Sequence, residues 1–429
     1  MAQHAVNVPR VVGLCADLPP GADPVGLGAL TFYWSHPERR LQVRAWGETI
    51  RREADAGGLG PLLAALSRPD GVTWLDGAAD ARARPPGPWF GAIAFDPTRF
   101  AWGGFAPVRF AVPRLLVWDG GGRRHAAAFA VEGEATRSAL ESTLDDVRRG
   151  GVPQRPVAPP PLKSAVAAHH ADGRGRWAGL VDLALERIRA GELSKVVIAR
   201  AMDVPAAAPV EALLAHLEAT YPQCRTFLLR GDGGTAFIGA TPESFCALDG
   251  ARLRTEALAG SARPADAESL LQSPKDLREH EWVVEHIASA LREISEAVDV
   301  PPAPTVRALA NVAHLHTPIS ARLRAGKGLA DVVAALHPTP AVGGVPSAAA
   351  VRFLADHEDL DRGLYAGLVG LVGPARAELA VALRCARIES GTARLFLGAG
   401  IVEGSSAESE WVETQLKARA LLDALEGAA

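Results

Sequence analysis

Cysteine, lysine and long apolar runs are scarce in this chain of 429 residues. Its four cysteines form no CxxC pair and no zinc-ligand spacing, so we expect free thiols and no structural zinc. No segment approaches the roughly 18 uninterrupted apolar residues of a membrane-spanning helix. A net charge of -4 without a basic run gives no reason to expect nucleic acid or an anionic membrane as a partner. Arg10, Asp17 and nearby prolines interrupt the N-terminus before a signal peptide could form, so the sequence predicts a cytoplasmic enzyme.

The few lysines stand in an arginine-rich chain, at Lys163, Lys195, Lys275, Lys327 and Lys417. Such a bias usually reflects genome composition and then carries no mechanism. Lysine can lose its proton in a protein, however, whereas arginine cannot. A lysine retained in such a chain is therefore a candidate for proton transfer.

Strand-like patterns run through both halves of the chain. In residues 1–150, TFYWS and LQVRAW alternate as half-buried strands do, and PWFGAIAFDP has the pattern of a buried strand. A proline-rich stretch at 151–165 predicts a connection to a second region, residues 166–429. There, hairpin signals outnumber strand–helix–strand crossovers. The sequence therefore predicts an α+β fold, a large antiparallel β-sandwich flanked by helices, in which both regions form one interlocked domain.

The segment GAGIVEGSSAESEWVETQLK at 398–417 predicts a strand end, a glycine turn and a helix with a serine cap. In that helix Glu410, Glu413 and Lys417 stand at i, i+3 and i+7, so they share one face. Two carboxylates beside backbone amides freed by a glycine turn could hold a divalent metal and an anionic ligand. The alternative is a solvated face with an ion pair between Glu413 and Lys417.

Four other polar residues have an ordinary interpretation when each is taken alone. Lys195, in the apolar strand KVVIAR, could be an edge lysine that reaches water, and Glu243, in GATPESF, could be a turn residue. Glu279 follows the helix start predicted by Ser273-Pro274 and could be a solvated carboxylate. His314, in VAHLHT, could be a structural histidine.

The order of these segments changes their interpretation. KVVIAR, GATPESF, LAGSAR, KDLREH, VAHLHT, LHPTPAVGGVP, ALRCARI and LFLGAGIVEGSSAESEWVET follow one another as they do in the chorismate-utilising enzymes. The chain most closely resembles the isochorismate synthases of menaquinone and siderophore pathways, almost continuously over residues 174–425. PWFGAIAFDP is similar to part of the family's N-terminal half. The resemblance implies the fold of anthranilate synthase component I.

The resemblance also implies a magnesium site. In similar enzymes Mg²⁺ is held by two glutamates that correspond to Glu279 and Glu413, and Glu410 would contact it through water. The metal would bind the ring carboxylate of chorismate. Oxygen ligands, waters and an acidic substrate are what a hard cation of this kind prefers.

The substrate contacts implied by the resemblance fall on seven further positions. The enolpyruvyl carboxylate would be held by Arg384, Lys417, Tyr365 and the backbone amide of Gly398. Arginine offers a carboxylate two parallel hydrogen bonds, and glycine lets the backbone approach closely. Two walls of the site would be formed by residues 258–262, which include Gly260 and Ser261, and by Ala341 beside the attacking water.

The chemistry implied by the resemblance is a reversible isomerisation of chorismate to isochorismate. Lys195 would be the general base that activates water for attack at C2, and Glu243 would protonate the departing C4 hydroxyl. His314 would orient the C4 side of the ring. These roles require a lowered lysine pKa and a raised carboxyl pKa.

Other branches of the family remain as alternatives. A salicylate synthase, with an added pyruvate-lyase step, shares the lysine, but the PTPAVGG loop is typical of isochorismate synthases. Ammonia-using relatives usually lack Lys195 and carry GT in place of Gly260-Ser261. An inactive chorismate-binding protein is disfavoured because every expected catalytic residue is present. Similar enzymes are often monomeric, and we expect a monomer here.

Overall fold

The structure is a computed structural model that describes residues 10–19, 29–68, 71–76, 85–120, 122–149, 173–309, 312–374 and 376–427. Within these ranges the strands form two large sheets, one of 12 strands and one of 10. The predicted connection at 151–165 lies outside the described residues. No helix in the described ranges is long and apolar enough to cross a membrane.

The first region consists mainly of strands, as predicted. Its strands are β1 (Val11–Leu18), β2 (Phe32–His36), β3 (Leu41–Trp46), β4 (Ile50–Ala54), β5 (Val72–Trp74), β6 (Trp89–Ile93), β7 (Val108–Val112), β8 (Leu115–Gly120) and β9 (Arg123–Val131). Its helices are α1 (Leu59–Leu66) and α2 (Arg137–Arg149). The predicted strands TFYWS, LQVRAW and PWFGAIAFDP correspond to β2, β3 and β6.

The second region carries the remaining strands and most of the helices. Its strands are β10 (Lys195–Pro205), β11 (Arg225–Arg230), β12 (Ala236–Thr241), β13 (Ser244–Asp249), β14 (Arg252–Ala262), β15 (Ser295–Asp299), β16 (Thr305–Ala308), β17 (Ala313–Leu323), β18 (Gly344–Val345), β19 (Leu368–Gly373), β20 (Arg376–Val381), β21 (Cys385–Glu389) and β22 (Thr392–Ile401). Its helices are α3 (Gly173–Arg189), α4 (Val210–Thr220), α5 (Pro274–Ile294), α6 (Leu329–Leu336), α7 (Ser347–His357) and α8 (Ala407–Gly427).

Each sheet contains strands from both regions. The larger sheet has the order β18-β10-β22-β21-β12-β11-β2-β3-β8-β9-β1-β5, and the smaller has β15-β17-β14-β13-β20-β19-β6-β7-β4 with β16 beside β17. The regions therefore join at β11–β2 and at β19–β6. Among the described strand pairs only β1–β5 is parallel, which confirms the predicted antiparallel α+β fold. Phe32 of β2 stacks on Phe90 of β6 across the two sheets, with ring centroids 4.7 Å apart.

Helix α5 begins at the predicted Ser273-Pro274 signal. The Ser273 hydroxyl accepts a hydrogen bond from the Asp276 amide at 3.3 Å, and proline occupies the first turn, where no amide hydrogen is needed. Val283, Ile287 and Leu291 are buried at intervals of four residues, so one face of α5 packs on the smaller sheet. This packing fixes the helix whose first turns carry Glu279.

The strand end predicted at the start of the 398–417 segment is confirmed, and the glycine turn follows it. Gly398 and Gly400 lie within β22, opposite Ala199 and Val197 of β10, and the turn follows Ile401. Pairing along the full length of β10 outweighs the weak preference of glycine for strands. The serine cap is confirmed. Ser406 directly precedes α8, and its hydroxyl accepts the amide hydrogen of Ser409, in the first turn of the helix, at 3.2 Å.

Candidate active site

A cavity of about 410 Å³ opens between strands of both sheets and the helices α5 and α8. Its volume is in the range of sites for small ligands. All the residues predicted for the site line it, namely Lys195, Glu243, Gly260, Ser261, Glu279, His314, Ala341, Tyr365, Arg384, Gly398, Glu410, Glu413 and Lys417. The motifs identified in the sequence therefore converge on one cavity, while the individual roles stay predictions.

Lys195 is buried and forms an ion pair with Glu279. It is the first residue of β10, only 1% exposed, and its Nζ lies 2.8 Å from Glu279 Oε1. Burial alone would raise the pKa of Glu279, but the charge and the hydrogen bond of Lys195 outweigh it and lower that pKa. Gly400 leaves room for the pair, since a Cβ there would lie 2.9 Å from Glu279 Oε1. The sequence analysis missed Gly400; its spacing of two from Gly398, which puts both glycines on one strand face, was the available signal.

Two further carboxylates of the cavity also have lysine partners. Lys275 Nζ donates to Glu410 Oε1 at 3.2 Å, and Lys417 Nζ donates to Glu413 Oε1 at 2.6 Å. Burial, followed by the charge of Glu413, raises the pKa of Glu410. The three carboxylates Glu279, Glu410 and Glu413 thus form one acidic wall that is balanced by three ammonium groups.

This acidic wall fits a cation that keeps part of its water shell. No three His, Cys, Asp or Glu side chains of the described part of the chain are close enough together to hold a metal ion by themselves. Mg²⁺ is usually held by only one or two carboxylates, with waters and an anionic substrate completing its octahedron. Glu410 is buried beside a second carboxylate that raises its pKa, which is an arrangement that an added cation would stabilise.

Glu243 is a buried carboxylic acid in the turn between β12 and β13. The Thr241 hydroxyl donates to Val381 O at 2.6 Å and accepts the Glu243 amide hydrogen at 3.2 Å, so the turn is fixed at both ends. Burial and then the charge of Glu256 raise the pKa of Glu243 to about 8, although nearby cations oppose the shift. A carboxyl group with this pKa holds its proton at neutral pH and can donate it.

His314 is neutral and has a protein partner on each ring nitrogen. Its Nδ1 lies 2.8 Å from Gly260 O, a pure acceptor, so Nδ1 carries the proton and Nε2 accepts from Arg384 Nη2 at 3.0 Å. Burial and the charges of Arg384 and Lys417 lower the pKa of His314 to about 3. In this arrangement His314 fixes the guanidinium of Arg384.

A cationic corner of the cavity is suited to a carboxylate. Arg384 Nη1 is buried and has no oxygen or nitrogen acceptor among the described residues. Lys417 Nζ donates to Gly398 O at 3.1 Å. The Ala199 amide donates to Glu358, so Ala199 and Gly398 form a pair whose backbone groups point away from each other. The Gly398 amide therefore points away from β10, which leaves it available to a ligand.

Glycine is also needed at two walls of the cavity. A Cβ on Gly398 would lie 2.5 Å from the Tyr365 hydroxyl oxygen. Gly260 has a φ of +72° and sits where the β14–β17 register shifts between Ala259 and Ala262. This bulge turns the Gly260 carbonyl toward His314 and places Ser261 Oγ 3.2 Å from His314 Nδ1. Ala341, in the segment between α6 and β18, lines the same cavity.

A residue of the first region, Trp102, packs against side chains that line the cavity. The Trp102 ring packs on Phe396 with a centroid distance of 5.1 Å, and Phe396 stacks on Tyr365 at 5.4 Å. Trp102 Nε1 donates to Asp361 O at 3.2 Å, close to the segment that carries Tyr365. The sequence analysis missed this contact, because nothing local to Trp102 predicts a partner from the far end of the chain.

The fold and the cavity together indicate an enzyme for a small anionic substrate, with an acidic wall, a cationic corner and a buried, protonated carboxyl group. A family profile described as chorismate binding enzyme matches residues 26–426. The chain therefore belongs to the chorismate-binding enzymes.

Several proteins that are similar to this chain are isochorismate synthases. The chain is 34% identical to the salicylate biosynthesis isochorismate synthase of Pseudomonas aeruginosa over 412 residues, which cover 92% of this chain and 84% of that protein. It is 40% identical to the isochorismate synthase MenF of Escherichia coli over 266 residues, 59% of this chain and 60% of that protein. The solved structure of MenF, the menaquinone-specific isochorismate synthase from Escherichia coli, superposes with a TM-score of 0.79 and 29% identity over 97% of this chain and 95% of that one.

Proposed function

We propose that this protein is an isochorismate synthase, which converts chorismate reversibly to isochorismate. The observation that carries the proposal is the joint placement of Lys195 and Glu243 in a cavity whose walls carry charges of both signs. Its similarity to isochorismate synthases over most of its length supports the same reaction.

Substrate binding would use the cationic corner for one carboxylate of chorismate. The guanidinium of Arg384 lines the cavity and is held in place by His314, Lys417 approaches from α8, and the Gly398 amide approaches from β22. A guanidinium and an ammonium group within a partly enclosed cavity bind a carboxylate more strongly than the same groups in water.

The acidic wall would hold the metal. Glu279 and Glu413 would ligate Mg²⁺, with Glu410 beside them through water. When bound, Mg²⁺ would neutralise the second carboxylate of chorismate and orient the ring.

Proton transfer would fall to the two remaining groups. Lys195 takes a proton from water as the oxygen bonds to C2, the ring double bonds shift, and the C4–O bond breaks while Glu243 gives its proton to the departing hydroxyl. Atoms and charges balance, since the product is an isomer of the substrate. Lys195 pairs with Glu279 at 2.8 Å beside the proposed site of attack, and Glu243 already has a pKa suited to an acid.

A product assay tests the proposal. Purified protein is incubated with chorismate and Mg²⁺, with and without ammonium, and the products are separated by chromatography with coupled detection of pyruvate. We expect isochorismate, little pyruvate and no effect of ammonium. Salicylate with pyruvate would instead indicate a salicylate synthase, and an ammonium-dependent product an aminating enzyme. An absence of turnover would indicate a protein that only binds chorismate.

A further inference from the structure

A second buried carboxylate, Glu256, lies beside Glu243 but does not line the cavity. Glu256 projects from β14, its side chain 9% exposed, and its Oε1 accepts the Ser244 amide hydrogen at 2.8 Å. Ser244 directly follows Glu243, and the β13–β20 register shifts just after it. At this bulge, next to the proposed proton donor, the Ser244 amide hydrogen is bound by the Glu256 side chain and not by a backbone carbonyl of a neighbouring strand.

Two side chains hold Glu256 in its charged form. Arg307 Nη1 lies 2.9 Å from Glu256 Oε2, and His316 Nε2 lies 3.0 Å from the same oxygen. Glu256 pairs with Pro318 and His316 pairs with Leu258, so Glu256 and His316 are diagonal neighbours on one face of the β14–β17 ladder. Burial alone would raise the pKa of Glu256, but these contacts and the Ser244 amide lower it to about 2.

We propose that Glu256 is a positioning residue of the active site, which fixes the bulged segment that bears Glu243 and places a negative charge near its carboxyl group. The assignment of Glu243 as the acid rests on the proposed function. The placement of Glu256 does not, because it follows from the hydrogen bonds and ion pairs of the protein alone.

The charged groups around Glu243 come from several elements and act in opposite directions. Glu256 on β14 disfavours the carboxylate form, whereas three cations favour it, namely Lys195 on β10, Lys417 on α8 and Arg384 between β20 and β21. Tyr365 is also close and its pKa is raised by burial, so it remains neutral. Glu256 is the one carboxylate among these groups, so its charge offsets part of the attraction of three cations for the ionised form of Glu243.

Glu256→Gln separates the charge of this side chain from its shape. The amide oxygen of glutamine can still accept the Ser244 amide hydrogen, but the negative charge is lost and Arg307 is left without it. We expect Glu243 to lose its proton about one pH unit lower than in the unmodified protein, which is roughly a tenfold change in its protonation equilibrium.

The direct measurement is an infrared titration of the protonated-carboxyl stretch in the free protein, assigned to Glu243 by its loss in Glu243→Gln. The alkaline limb of the kcat profile for chorismate should move in the same direction. Glu378→Gln is a matched control: Glu378 is also buried and held by a histidine and an arginine, His36 at 2.6 Å and Arg39 at 3.0 Å, but it does not line the cavity. Glu256 does not line the cavity either, but unlike Glu378 it is among the charges that act most strongly on Glu243, so this control should leave the titration of Glu243 unchanged.

An unchanged midpoint in Glu256→Gln, or an equal shift in Glu378→Gln, would overturn the proposal. If Glu256→Gln does not fold, Arg307→Gln serves instead, because it removes a cation and leaves Glu256 charged. The midpoint of the Glu243 titration should then stay or rise. A fall in that midpoint contradicts the proposal. A shifted midpoint in a protein that does not turn over chorismate would refute the proposed function and leave the positioning role intact.

Discussion

The two regions of this molecule contribute alike to the fold and unlike to the cavity. Each supplies strands to both sheets, and the sheets are continuous across β11–β2 and β19–β6. Yet every residue that lines the cavity lies between Lys195 and Lys417. The comparison shows that a region can be essential to the sheets without contributing a residue to the lining of the cavity.

The two regions differ in the kind of side chain that they place at the cavity. The second region presents buried charged groups to the cavity, including Lys195, Glu243 and Arg384, each of which needs a partner or a ligand to be stable. Among the described residues, the first region approaches the site through Trp102, which packs on Phe396. Changes in the two regions should therefore affect activity and stability in different proportions.

The largest expected effect is on the acidic wall of the second region. Glu279→Ala and Glu413→Ala should each abolish Mg²⁺-dependent turnover, because a hard cation loses a charged oxygen ligand. Calorimetry should show weakened Mg²⁺ binding in the presence of chorismate. Unchanged binding of both ligands in both variants would place the metal elsewhere.

The next effect is on proton transfer. Lys195→Ala and Glu243→Gln should each lower kcat by roughly 10²- to 10⁴-fold, because a positioned acid or base contributes about that much. Circular dichroism should show an intact fold, since Gln keeps the shape of Glu243. Activity close to normal in either variant would refute its assigned role.

A smaller effect should follow a change in the cationic corner. Gly398→Ala places a methyl group 2.5 Å from the Tyr365 hydroxyl oxygen and should lower kcat/KM by about 10- to 100-fold, because displaced groups fit the substrate poorly. Removal of that hydroxyl in the double variant Gly398→Ala/Tyr365→Phe should restore part of the loss relative to Tyr365→Phe alone. If the two changes are simply additive, the steric explanation is wrong.

The smallest effect on activity, and the largest on stability, should come from the first region. Trp102→Ala should lower the free energy of unfolding by about 3–5 kcal/mol, as expected when a buried aromatic side chain is lost. We expect kcat to fall less than tenfold, through looser packing of Phe396 behind Tyr365. Trp118→Ala is the control, because Trp118 is also buried but stacks on His125, outside the cavity. An equal fall in kcat in both variants would indicate a general loss of rigidity.

Local patterns predicted much of this molecule correctly. The alternation in LQVRAW predicted β3, and Ser273-Pro274 predicted the start of α5, because both signals depend on residues close together in the chain. The order of the motifs predicted which residues would meet in the cavity. The division at 151–165 stays a prediction.

The features that escaped prediction depend on pairing between distant residues. Lys195 on a strand pairs with Glu279 on a helix, and the two residues are far apart in the sequence. The contact of Glu256 with His316 depends on the register of β14 and β17. A one-residue change in that register would turn the two side chains to opposite faces, and no pattern within either strand specifies it.

The junctions between the regions also bear on how the protein is synthesised. As the first region leaves the ribosome, β2 and β6 are open sheet edges whose neighbours β11 and β19 have not yet been translated. Ile93 of β6 pairs with Leu368 of β19, so the β6 edge stays unpaired until most of the chain has been translated. We expect nascent chains to need protection from aggregation until that pairing closes the smaller sheet.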